Sequence, residues 1–141
     1  MTRVDFYTGV DDKSELARQI AVKAWRQGSR VLVHSHNEAL LDALDRHWWT
    51  HPPSAFLPHA RAHATHAPQS PVVLGSAIGE LPHCDVLINL SEQTPGFFTR
   101  FERLIEIVTT DEPDRQAARV RWRFYQQRGY ALHNHDMASV R

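Results

Sequence analysis

Between Arg115 and Arg128 the chain sets five arginines, and no acid, around three large aromatic side chains, Trp122, Phe124 and Tyr125. Guanidinium groups are planar forks of donors that match a carboxylate or a phosphate. An aromatic ring among them has the composition of a binding hot spot. At about 100° per helical residue, Arg115, Arg119, Trp122, Arg123 and Gln126 gather on one side. Ala117, Val120 and Phe124 fall roughly opposite as the expected core stripe, and Arg121 and Arg128 are expected on the solvent edge. The basic stripe suits a partner with an acidic, partly aromatic end. It equally suits single-stranded nucleic acid, through stacking and phosphate contacts. Asp111, Glu112 and Asp114 in the first turn favour the helix dipole and argue against a long nucleic-acid track.

A second candidate is "HWWTHPPSAFLPHA", residues 47–60, which crowds Trp48, Trp49, Phe56, Leu57 and three prolines together. A helix can fully bury only one of two adjacent side chains, so one tryptophan is expected to be at least partly exposed. The segment reads either as an aromatic plug on a sheet edge or as an apolar patch for a protein partner.

Other chemistries find less support. Ten histidines are present, among them His34 and His36 at a strand end, His59, His63 and His66 in a loop, and His133 and His135 near the C-terminus. No H-E-x-x-H pair or Cys–His cluster gives them a zinc-site spacing, so no metal is expected. Cys84 is the one cysteine; it excludes a disulfide framework and is expected to be a small buried hydrophobe. There is no G-x-S-x-G elbow. Asp5 and Asp85 flank strand interiors, but no motif makes them a catalytic pair. The turn after the first strand, "YTGVDDKSE", has one glycine and two acids where a phosphate-binding loop would need several glycines. No catalytic residue and no cofactor is assigned.

The elements that must position these residues read as alternating strands and helices. A strand is expected near residues 3–8, a helix over Lys13–Gln27 stopped by Gly28, and a buried strand over 30–35. A helix follows over 37–49 with Asn37 as N-cap, then a long surface loop over 50–71 with five prolines and four histidines. Strands are expected at 72–76, 85–91 and 103–109, with a short helix from Gly96 to about Arg103. The Arg-rich helix spans 111–128, ends at Gly129, and precedes a last short strand. This pattern predicts an α/β fold: one three-layer domain over residues 1–141, a mostly parallel, mixed sheet flanked by helices, Rossmann-like but without a phosphate-binding loop. The 141 residues carry zero formal net charge, so any basic function is local. No signal peptide or run of about 20 apolar residues is present, and a cytoplasmic location without membrane association is expected.

The order and spacing of several segments carry a resemblance. They are the "DFYTG" first strand, the "A-x-x-A-W-R-x-G-x-R-V-L-V" passage (Ala21 to Val33), "W-T-H-P-P-S-A-F-L-P-H" at 49–59, "DVLINL" at 85–90 and the Arg-rich helix running into "GYALH". Over nearly its whole length the chain resembles the chi subunits of bacterial DNA polymerase III holoenzyme. The resemblance implies a non-catalytic clamp-loader-associated subunit that touches DNA only indirectly. One surface of such subunits binds the acidic C-terminal tail of single-stranded-DNA-binding protein, and another binds the small psi subunit. Carried over, the tail site falls on Val108, Arg115, Arg119, Trp122 and Arg123. Arg115 and Arg123 stand where the family has lysines, and Trp122 where it has a tyrosine. The tail ends in aspartates, a proline and a terminal phenylalanine. An Arg would hold the terminal carboxylate, with the Phe ring between Val108 and Trp122, in a micromolar, salt-sensitive contact. The psi surface is expected on Trp48, Trp49, Phe56, Leu57 and Pro58. Direct binding of single-stranded nucleic acid by the Arg stripe is the alternative.

Overall fold

A computed structural model of the chain describes residues 2–50, 58–65, 67–77, 79 and 81–140, with the backbone alone at 49, 50, 139 and 140. Among the described residues seven strands and three α-helices follow in the order β1 (Arg3–Val10), α1 (Lys13–Arg26), β2 (Val31–His34), α2 (Glu38–Thr50), β3 (His59–Arg61), β4 (Val72–Gly75), β5 (Val86–Asn89), β6 (Arg103–Thr109), α3 (Glu112–Gln127) and β7 (Leu132–Asp136). The strands form one sheet in the order β3-β4-β2-β5-β6-β1-β7. Every pairing is parallel, so the sheet has no mixed component. β2, β4 and β5 are buried at every residue, as strands covered on both faces must be.

Asn37 caps α2 as expected, accepting from the Leu40 amide at 3.1 Å, and Asp12, read from the sequence only as one of two acids in a turn, caps α1 by accepting from the Glu15 amide at 3.1 Å. Gly28 and Gly129 follow α1 and α3 at φ 84° and 80°, left-handed conformations that glycine adopts without a Cβ clash and that stop a helix.

Three readings are corrected. The proline- and histidine-rich segment 50–71 is not loop throughout: His59–Arg61 is a buried edge strand on β4. It is held by main-chain pairing and by Arg61, which bonds Glu38 and Asp42 of α2. Three residues are too few for a readable period. The short helix expected from Gly96 is a single 3-10 turn, Phe98–Arg100. Cys84 is exposed; in the segment before β5, Leu81 and His83 turn inward and Pro82 and Cys84 turn outward.

The sheet separates two apolar layers. On one face α1 and α2 bury Ala17, Ala21, Leu41, Leu44 and Trp48 against Val31, Val33, Ile105 and Ile107. On the other, Tyr125 of α3 and the Phe98–Phe101 turn pack on Phe6, Leu32, Leu87 and Leu104. Trp48 is 2% exposed and packs edge-on to His59. It therefore offers no surface to a partner. Pro58 is half-buried. The side chain of Trp49, and Phe56 and Leu57, lie outside the described residues. Among those residues no helix is long and apolar enough to cross a membrane.

Candidate binding site on the third helix

The placement of α3 begins at its first turn. The Thr109 amide and hydroxyl donate to Asp114 at 2.8 and 3.0 Å, and Lys13 reaches the other Asp114 oxygen at 3.1 Å. Burial alone would raise the Asp114 carboxyl, but the Thr109 amide and the Lys13 ammonium outweigh it and hold it below its ordinary value. The start of the helix is thus tied to the end of β6 and to α1.

The rotation of α3 about its axis is set further along. Glu106, in the middle of β6, is fully enclosed, and its carboxylate accepts from Arg121 Nε at 3.1 Å, the Tyr125 hydroxyl at 2.6 Å and the Asn89 amide at 3.0 Å. Arg121 also donates to the Glu92 carbonyl at 2.8 Å. Enclosure raises the Glu106 carboxyl above its ordinary value, against the pull of Arg121, Tyr125 and Asn89. It also raises the Tyr125 phenol, which faces that carboxylate. A buried carboxylate must be paired, and here the cation comes from the covering helix, so Arg121 turns inward.

This overturns the expected orientation of the helix. Arg121, placed on the solvent edge from the sequence, is 2% exposed, while Val120, placed in the core stripe, is 64% exposed. The buried face is Ala118, Arg121 and Tyr125. Ala117 and Phe124 are only half-buried. The signal was present in "RLIEIVT", a strand whose central acid required a cationic neighbour.

The rotation brings the basic stripe beside the buried face instead of opposite it, and so onto the sheet. A cleft of about 410 Å³ lies between α3 and the β6-β1-β7 edge. Phe6, Thr8 and Val108 line its floor, Ala118 and Trp122 one wall, Arg115 and Arg119 the mouth, and Asn134 and Asp136 the edge formed by β7. The Trp122 indole meets the Phe6 ring edge-on at 5.0 Å. The Thr8 hydroxyl donates to Asn134 at 3.3 Å. Arg115 and Arg119 keep about half of their side-chain surface and pair with Glu112 at 3.3 and 3.5 Å. Of the five residues singled out on this side, Val108, Arg115, Arg119 and Trp122 line the cleft; Arg123 is exposed and does not. Phe6, Thr8, Asn134 and Asp136 were not foreseen. They belong to strands distant in sequence, and the parallel register that pairs Phe6 with Asn134 and Thr8 with Asp136 brings them together. An apolar cleft with two guanidinium groups at its mouth can hold a ring or alkyl group while binding a carboxylate.

The remaining candidates disperse. His34 Nδ1 lies 3.3 Å from the Gly75 carbonyl oxygen, and its ring meets His36 edge-on at 4.8 Å. Burial, with His36 nearby, pushes its pKa down to about 4. His135 lies 2.9 Å from Asp5, which also holds Arg3 and Arg103. Asp85 is not paired with Asp5; it accepts from the Arg30 amide at 2.7 Å. Among the described residues no three His, Cys, Asp or Glu side chains converge to hold a metal ion.

Comparison with known proteins agrees along the whole chain. The family model described as "DNA polymerase III chi subunit, HolC" matches residues 1–133. The DNA polymerase III subunit chi of Pseudomonas aeruginosa is 42% identical over 146 residues, covering 99% of this chain and all of that protein. Those of Haemophilus influenzae and Escherichia coli are each 30% identical, covering 84% and 93% of this chain and 83% and 88% of theirs. The match to the family model over residues 1–133 and the 42% identity over 99% of the chain lead to one assignment: the chain belongs to the DNA polymerase III chi subunit family.

Proposed function

We propose that the chain is a non-catalytic adaptor of the cytoplasmic replication machinery, whose α3 cleft captures the acidic C-terminal tail of single-stranded-DNA-binding protein. The observation that carries this reading is the cleft itself: an apolar floor of Phe6 and Val108, a Trp122 wall, and Arg115 and Arg119 at the mouth. A terminal phenylalanine fits the apolar part. Its carboxylate, and the aspartates before it, face the guanidinium groups. Glu112 and Asp136 at the same rim disfavour a continuous phosphate track, and so the alternative of direct nucleic-acid binding. A second partner, the small psi subunit, is assigned by family resemblance to Trp49, Phe56, Leu57 and Pro58, without the buried Trp48.

Titration calorimetry tests the tail reading. An acidic peptide ending in Pro-Phe with a free carboxylate should bind with micromolar affinity, weaken as salt rises, and lose at least tenfold when its C-terminus is amidated. Arg119→Ala with Trp122→Ala should remove binding and leave the circular dichroism spectrum unchanged. Equal binding of both peptides, or binding unaffected by the double change, would withdraw the assignment. Tight, length-dependent binding of a labelled oligonucleotide at moderate salt would favour the nucleic-acid reading instead.

A further inference from the structure

We infer that Glu112 is a built-in competitor for the mouth of the cleft, standing in for the incoming carboxylate when no ligand is bound. The inference rests on the carboxylate-binding role proposed above for Arg115 and Arg119. Glu112 opens α3, and the helical spacing carries its side chain over the turn that holds Arg115 and Gln116 and towards Arg119. One carboxylate oxygen pairs with Arg115 Nη1 at 3.3 Å. The other accepts from Arg119 Nη1 at 3.5 Å and Gln116 Nε2 at 3.4 Å. One internal acid therefore engages both arginines at the mouth.

The contacts are long and the partners are exposed: Glu112 keeps 54% of its side-chain surface, Arg115 50% and Arg119 52%. Exposed pairs of this kind shift an equilibrium by no more than a few-fold each. Glu112 can leave without unfolding anything, unlike Arg121 and Glu106 one face away. Its effect is to set a threshold. A ligand bringing one carboxylate and nothing else exchanges one ion pair for another and gains little. A ligand that also buries a ring against Trp122, or brings further acids, displaces Glu112 with a net gain. The internal acid thus selects for polyacidic, apolar-ended ligands and keeps the complex readily reversible.

The experiment is calorimetric titration of the same free-carboxylate peptide into the parent protein, Glu112→Gln and Glu102→Gln. Glu102 is exposed and lines a separate depression with Lys23 and Arg103, so its substitution makes the same change in net charge away from the cleft. Glu112→Gln should bind three- to tenfold tighter than the parent and with a steeper salt dependence, while Glu102→Gln stays within twofold. Peptide binding that is equal in the parent and Glu112→Gln, or raised equally by both variants, overturns the competitor role and leaves the tail-binding reading standing. Binding to Glu112→Gln with none to the parent supports the competitor role. Binding to neither, with both folded, overturns both.

Discussion

Two buried carboxylates on neighbouring strands, Glu106 of β6 and Asp5 of β1, are satisfied in opposite ways. Glu106 faces α3, and Arg121, Tyr125 and Asn89 around it are themselves buried. Asp5 faces away from α3 on the strand next to the β7 edge and holds Arg3, Arg103 and His135, whose side chains are 53%, 36% and 38% exposed. The cations of Asp5 can be released to water if the acid is removed. The cation of Glu106 cannot. The first arrangement orients a helix; the second ties down an edge. The binding cleft depends on the first, because the rotation that buries Arg121 also turns Arg115, Arg119 and Trp122 toward the sheet.

The comparison is broken most severely at Arg121. Arg121→Met leaves Glu106 enclosed without its cation, and urea unfolding should show a loss of about 3–5 kcal/mol. Adding Glu106→Leu should recover most of that loss, since an apolar pair of similar volume avoids the desolvation cost of the ion pair. If the single change costs no more than a surface substitution, Glu106 does not govern α3.

The next effect is expected at the acids' neighbours. Tyr125→Phe keeps the ring edge-on to Phe6 and Phe98 and removes only the hydroxyl that donates to Glu106. The expected loss is about 1.5–3 kcal/mol, typical for a hydrogen bond to a charged group. Asp5→Asn should cost less, about 1–2 kcal/mol, because Arg3 and Arg103 regain solvent. Equal costs at both places would erase the distinction between an enclosed and a rim carboxylate.

The pH dependence sharpens the contrast through its sign. Burial would raise the Asp5 carboxyl, but His135, Arg103 and Arg3 hold it below the ordinary value of 3.8. The unfolded chain then takes up the proton first. The Asp5 contribution is complete above about pH 4 and fades as the pH falls through the folded value. Glu106 is raised above its ordinary 4.5, so its linkage runs the other way: its term favours folding below that value and declines as the pH rises through the folded one. Urea midpoints measured from about pH 3 to 7 should show Asp5→Asn flattening the acid limb. Glu106→Gln, measured against its own lower baseline, should remove a term of opposite slope.

Much of the architecture is legible in the sequence, because it depends on local chemistry. Asn37 starts a helix, Gly28 and Gly129 stop helices, and the short apolar runs at Val31, Val72 and Val86 read as strands covered on both faces. The spacing that groups Arg115, Arg119 and Trp122 is equally local and survives intact. What failed was the direction of burial. Hydrophobicity alone favoured Val120 over Arg121, yet the helix buries Arg121, because an acid fifteen positions earlier in the chain lies beneath it. His59–Arg61 was missed for a related reason: its strand character comes from β4 and from the acids of α2, not from its own composition.

The chain by itself therefore determined the alternation of strands and helices, the missing phosphate loop, the helix ends and the side of α3 that carries arginine and tryptophan together, since these follow from spacing, capping and backbone preference within a few residues. Only the tertiary structure decided which way that side turns, that Phe6, Val108 and Asn134 complete a cleft beneath it, and that Glu112 lies across its mouth. Those facts depend on where Glu106 finds its cation and on the parallel register of strands more than a hundred residues apart, and neither is encoded within any one segment.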